Sequence, residues 1–154
     1  MRPQKEAQHK QQKENRKTIM NILIIDAQGG GIGKQLVQAV KKDMPEAVIT
    51  AVGTNSAATS AMLKAGADNA ATGENAVVVN SRRADAIIGP IGIVIADALF
   101  GEITPLMAKA VAQSHAKRIL IPVNHCDNIV VGVEDLNVRK LIQDVLSELH
   151  KMCG

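Results

Sequence analysis

The stretch that most constrains this chain is Asn21 to Lys34. An unbroken apolar run, Asn21-Ile-Leu-Ile-Ile25, closes on Asp26 and opens into Ala27-Gln28-Gly29-Gly30-Gly31-Ile32-Gly33-Lys34. Apolar residues without polar alternation mark a strand covered on both faces, as inside a parallel sheet. The glycines let the chain turn sharply with its amides uncovered. Leu36, Val37 and Val40 then recur at helical spacing between Gly33 and Asp43, which marks a helix. Strand, glycine turn and helix in that order gather backbone N–H groups and a helix N-terminus at one spot, an arrangement that holds anions.

The same alternation continues along the chain. Val48 to Val52 is the second strand, ending at Gly53-Thr54; Asn55 or Ser56 caps a helix to about Ala65, with Gly66 at its C′ position. A short strand is expected around Asn69 to Ala71. Glu74 to Arg83 suits a helix, although Val77, Val78 and Val79 also suit a strand. Ala86 to Gly89 is a strand stopped at Pro90. The apolar Ile93 to Phe100 is expected to be helical, and Thr104-Pro105 to start another helix. Strands are expected at Arg118 to Val123 and at Ile129 to Val133. From Asp135 a last helix aligns Val138, Leu141, Ile142, Val145 and Leu149. Short β-branched runs alternating with helices predict an α/β fold: an open, mostly parallel, doubly wound (Rossmann-like) sheet in three layers.

Composition narrows the function classes. Of 154 residues, 46% are hydrophobic and 21% charged, enough for one real core in a domain of this length. The net charge of +3 is carried by the opening segment. Residues 1–18 hold six basic against two acidic side chains, a net of +4; the remaining twelve basic against thirteen acidic leave −1. Residues 1–19 therefore read as a basic, flexible extension, and 20–154 as one domain. Nucleic acid is not an expected partner except through that tail. Phe100 is the one aromatic residue, which weighs against base-stacking readers of single strands. The apolar run Ile91 to Ala96 is far too short to span a membrane. No apolar stretch suited to a signal peptide follows the basic opening, and Cys126 and Cys153 make neither a disulfide framework nor a zinc spacing. A cytoplasmic protein without a metal site is the expectation.

The glycine turn departs from each familiar phosphate loop. An ordinary P-loop needs glycine where Gln28 stands and a hydroxyl where Gln35 follows Lys34. Gly30-Gly31-Ile32-Gly33-Lys34 resembles the deviant P-loop of nitrogenase-iron-protein-like ATPases, but its signature lysine falls at Gly29. A dinucleotide fingerprint places Gly29 and Gly31 correctly, then finds Lys34 at its third glycine. Read one frame on, Gly31-Ile32-Gly33 resembles the short-chain dehydrogenase loop, with Asp26-Ala27 at its leading Thr-Gly. The carboxylate that commonly binds ribose at the end of the second strand is replaced by Gly53-Thr54-Asn55-Ser56.

The candidate ligand set is Asp26, Gln28, Gly29, Gly30, Gly31, Ile32, Gly33 and Lys34, with Gly53, Thr54, Asn55 and Ser56 as a second cradle and Gly89-Pro90 as a third turn on the same sheet edge. The glycines offer amides, and Lys34 offers a countercharge. Thr54, Asn55 and Ser56 offer sugar or second-phosphate contacts. The expected partner is a phosphate-bearing small molecule, a nucleotide or dinucleotide, with NAD(P) or another nucleotide as the compatible cofactor. Catalytic residues are not identified: Asn124-His125-Cys126-Asp127 holds an acid–base and a thiol candidate, and Glu74, Asp97 and Glu102 are carboxylates without a partner by spacing. The alternative class is a structural or regulatory protein acting through homo-oligomerisation, with Ile91 to Phe100 as its apolar segment.

Five runs carry a family resemblance: Ile24 to Lys34, Gly53-Thr-Asn-Ser-Ala-Ala-Thr59, Ala71-Thr-Gly-Glu-Asn-Ala76, Ile88-Gly-Pro-Ile-Gly-Ile-Val-Ile-Ala96 and Gly101-Glu-Ile-Thr-Pro105. Over about Met20 to Leu149 the chain resembles a family of small bacterial proteins, mainly from Firmicutes, catalogued as a domain of unknown function. The resemblance implies a compact Rossmann-like protein and no particular activity. Gly53-Thr54 also resembles the phosphate loop of methylglyoxal synthase, which implies a sugar-phosphate enzyme as a further alternative; the matching aspartates have no counterpart here, and the likeness is one of fold.

Overall fold

The computed structural model describes residues 18–123, 128–133 and 137–154. Five strands form one sheet: β1 (Asn21–Asp26), β2 (Val48–Gly53), β3 (Asn69–Thr72), β4 (Ala86–Pro90) and β5 (Lys117–Ile121). Their order is β3-β2-β1-β4-β5, and every pairing is parallel. Among the described residues five α-helices connect or follow them: α1 (Gly31–Asp43), α2 (Ser56–Lys64), α3 (Glu74–Ser81), α4 (Pro105–Gln113) and α5 (Val138–Cys153). This is the expected open α/β sheet in three layers.

The pleat of β1 explains the layering. Ile22 and Ile24 pack with Leu36, Val37 and Val40 of α1, Met62 of α2 and Val145 and Leu149 of α5. Leu23 and Ile25 point the other way, to Val77 of α3 and Met107 and Val111 of α4. All four strand residues are at most 1% exposed, and full burial of such a side chain is worth about 1.5–3 kcal/mol. That is why β1 shows no polar alternation. The ambiguous segment from Glu74 is helical, with Val77 buried inside the second layer.

Strand order fixes where a ligand can sit. After β1 the chain winds outward to β2 and β3, then crosses back to β4 on the other side of β1. The loops leaving β1 and β4 therefore diverge to opposite faces, and the crevice between them at the carboxyl edge is the usual ligand position of such sheets.

Two expected elements are not formed. Ile93 to Phe100 is not an α-helix: a single 3-10 turn, Ile91–Val94, gives way to a run of turns. Asp97, Leu99 and Phe100 have φ of 63°, 56° and 58°, a left-handed geometry that no right-handed helix admits. Ile129 to Val133 is not a strand either; Ile129 and Val131 stand 89% and 93% exposed in an irregular connection. β-branched residues favour a strand only where a half-buried sheet surface receives them. The basic opening through Lys17, Asn124 to Asp127 with His125 and Cys126, and the expected helix start at Asp135 lie outside the described residues. Among the described residues no helix is long and apolar enough to cross a membrane.

Candidate functional site

The glycine turn sits in the β1/β4 crevice and is held from below by Asp26. This side chain is 5% exposed. One carboxylate oxygen accepts from the Ala27 amide at 2.8 Å and the other from the Gly33 amide at 2.6 Å. Asp26 thereby caps the start of α1 from inside the sheet. Burial pushes its pKa up; the Gly33 and Ala27 amides pull it back, and the charge of Glu102 adds to the rise. The turn closes where the Gly30 amide donates to Ala27 O at 3.0 Å. Among the described residues no acceptor meets the amides of Gly29, Gly31 and Ile32. These three border a cavity of about 240 Å³, walled by Asp26 to Ile32, Gln35, Pro90 and Leu99.

The glycines divide into two kinds. Gly30 has φ +73°, and a Cβ there would lie 2.7 Å from the Ala58 backbone. At Gly33 a Cβ would lie 2.5 Å from Met62 Sδ and 2.8 Å from Asp26 Cβ. Fold geometry explains both. Gly89 is explained in the same way, by the Ile25 carbonyl 2.5 Å from its would-be Cβ, and Gly53 by Thr59. At Gly29 and Gly31 φ is not left-handed, and a Cβ would meet nothing within 4 Å.

The second cradle is turned inward. Asn55 caps α2 through the Ala58 amide at 2.9 Å, as its side-chain chemistry predicts. Its Nδ2 donates to Gln28 O at 3.0 Å and to Glu102 Oε1 at 2.6 Å. Thr54 Oγ1 donates to the same Glu102 oxygen at 3.1 Å. The Gln28 amide donates to Glu102 Oε2 at 3.0 Å. Thus one carboxylate ties the turn after β1 to the turn after β2. Ser56 opens α2 and is exposed.

Glu102 is delivered by the strap Ile95–Ile103, which follows β4 and its 3-10 turn. Asp97 N donates to Ile103 O at 2.8 Å and Gly101 N to Asp97 O at 3.1 Å, so the strap closes on itself. Ala98, Leu99 and Ile103 are buried beneath it, whereas Phe100 is 97% exposed. Just beyond, Thr104 caps α4 by accepting from Met107 N at 3.1 Å and donates to Glu74 at the start of α3.

Of the residues picked out from sequence, Asp26 to Gly33, Thr54, Asn55 and Pro90 meet in or beside this crevice. Lys34 is exposed one turn into α1 and does not line the cavity; Gln35 does. Glu102, which spacing alone leaves as a carboxylate without a partner, belongs to the site, as does Leu99, outside the candidate set. Glu102 lies 74 positions from Gln28 and 47 from Asn55, so no local spacing displays the contact. Two wider hollows lie toward the amino ends of the strands. One of about 550 Å³ is lined by Asn21, Thr50, Asn69, Asn80 and Arg83. The other, about 920 Å³, is lined by Met20, Met44, Met152 and His150, with His150 paired to Asp43. No group of three or more metal-ligating side chains occurs among the described residues.

An open parallel α/β sheet of Rossmann-like order, with a glycine turn at its switch point, defines the class of this chain. Over residues 21–154 it belongs to the family described as Domain of unknown function (DUF3842). No curated protein matches its sequence. Among solved structures, it is similar to a dodecameric FMN-dependent UbiX-like decarboxylase from Escherichia coli O157:H7, at 15% identity and a TM-score of 0.43, over 85% of this chain and 94% of the other.

Proposed function

We propose that this chain binds a phosphate-bearing small molecule at the glycine turn, with the phosphate received by the amides of Gly29, Gly31 and Ile32. The observation that carries the reading is the pair Gly29 and Gly31. Both are glycine without a left-handed φ or a neighbour to avoid, both border one cavity, and neither amide has an acceptor among the described residues. Bare backbone is what close approach of a ligand needs. Ile32 adds a third donor at the start of α1, where the helix dipole favours negative charge. Gly30, Gly33 and Asp26 hold the donors in place rather than meeting the ligand. The ligand class is a nucleotide or another phosphorylated metabolite.

A thermal-shift panel with inorganic phosphate, sugar phosphates, ATP, GTP, NAD(H) and NADP(H), with and without Mg²⁺, tests this. A saturating ligand at a hundred times its Kd stabilises by about 2.7 kcal/mol. The reading requires a saturable shift that Gly31→Val abolishes; no shift with any phosphate compound refutes it. A second reading, association with another copy of the chain, draws on the exposure of Ile129, Val131 and Phe100. Sedimentation at the monomer mass at every concentration rules it out.

A further inference from the structure

Phosphate binding at the glycine turn leaves open how many phosphates the site accepts. We infer that Glu102 limits it to one, making this carboxylate the residue that separates monophosphates from diphosphates and dinucleotides. The inference rests on the phosphate reading above and adds the substrate class.

A first phosphate on Gly29, Gly31 and Ile32 uses the free amides of the turn. A second, attached phosphate needs donors next to them. On this sheet edge those donors are the Gln28 amide, the Thr54 hydroxyl and the Asn55 side-chain amide, and all three already serve Glu102, at 3.0, 3.1 and 2.6 Å. The chain's own carboxylate thus fills the place of the second anion. A diphosphate must either sit beside that charge or push it out, which takes its three donors and leaves the carboxylate without them. Repulsive placement of this kind is how a site rejects a near relative of its ligand.

Displacement is hindered by how Glu102 is tethered. Its neighbour Ile103 is 1% exposed and bonded in both directions, donating to Ala98 O and accepting from Asp97 N. Thr104 is committed to the cap of α4. Leu99 of the same strap lines the cavity together with the glycine turn. Asp26 supplies a second carboxylate beneath the turn. The cavity of about 240 Å³ lies below the range of about 300–1,000 Å³ usual for sites that enclose a larger ligand.

The test is calorimetric titration of the full chain and of Glu102→Gln with inorganic phosphate, ribose 5-phosphate, pyrophosphate and NAD, alongside thermal denaturation of both proteins. Wild type should bind the two monophosphates at least about tenfold more tightly than pyrophosphate or NAD, and Glu102→Gln should shrink that ratio about tenfold by improving the diphosphates. A ratio unchanged in a folded Glu102→Gln protein overturns the inference. So does a wild type that prefers pyrophosphate or NAD, a result that needs no variant. If wild type binds none of the four, the phosphate reading itself fails and takes this inference with it.

Discussion

Alanine substitution along the glycine turn separates ligand approach from fold geometry. At position 31, the first residue of α1, and at position 29, alanine meets no neighbour and no left-handed φ. Removing glycine's extra freedom from the unfolded chain then stabilises by about 0.4–1 kcal/mol, a rise in Tm of roughly 1–4 °C for a chain of this size. At Gly30 the methyl imposes φ +73° on a residue with Cβ and collides with the Ala58 backbone at 2.7 Å. The left-handed conformation costs about 1–2 kcal/mol and the overpacking about 1–3 kcal/mol more. At Gly33 the flexible Met62 yields in part, but Asp26 Cβ, 2.8 Å away on the buried strand, does not; about 1–3 kcal/mol is expected. Thermal denaturation of the four variants should place Gly29→Ala and Gly31→Ala at or above wild type and the other two clearly below. Phosphate titration of the two stable variants should show affinity reduced about tenfold or more, because the new methyl stands where the phosphate oxygens approach. If Gly29→Ala and Gly31→Ala bind phosphate as wild type does, the case for ligand approach falls, and if they unfold like the other two, the division of the glycines is wrong.

Four further outcomes follow from the same geometry. Asp26→Ala strands the amides of Ala27 and Gly33 and should destabilise by about 1–3 kcal/mol, read by urea denaturation. In wild type, carbon NMR of the Asp26 carboxyl should give a midpoint above its ordinary value, so its contribution to stability is present at low pH and is lost as pH rises through that midpoint. Lys34→Ala should weaken phosphate binding less than Gly31→Ala does. The difference from wild type should vanish in high salt, because an exposed charge off the cavity wall acts only through a screened field. Asp68 behaves oppositely to Asp26. The hydrogen bond from the Lys41 ammonium at 2.6 Å holds its pKa below the ordinary value, so it stabilises above the unfolded pKa of about 3.9 and ceases to as pH falls through the folded value. Asp68→Asn should flatten the acid limb of the stability profile.

What could be read from the chain was whatever a short window encodes. Strands β1 and β4 follow from apolar runs whose burial on two faces needs no alternation, as β1 shows. The caps at Asn55 and Thr104 follow from single side chains bonding amides three residues on. The strap escapes sequence reading because its inward residues, Ala98, Leu99 and Ile103, satisfy no regular period. Its shape depends on Asp97, Leu99 and Phe100 taking a conformation that their side chains disfavour. Tertiary bonds from Glu102 to two other turns hold that conformation, and such bonds leave no mark in local composition. The segment Ile129 to Val133 failed for a related reason: strand propensity describes a surface to pack on, and the structure offers these residues none.

The site itself shows why a glycine count is a poor guide to function. Gly29, Gly30, Gly31 and Gly33 look alike in sequence, and matching them to known loops treats them as one device. The fold separates them. Two are glycine because Ala58, Met62 and Asp26 leave no room, and those two would persist in a turn that bound nothing. The other two stand over open space, their amides without an acceptor among the described residues, and on the proposed reading only they meet the ligand. The carboxylate that borders them comes from a strap on the far side of the switch point. On the proposed reading, the selectivity of the site is written in residues 95–103 and not in the glycine turn. Exchanging that strap for a plain Gly-Ser connection should leave the amides of Gly29, Gly31 and Ile32 in place while opening the donors at Gln28, Thr54 and Asn55.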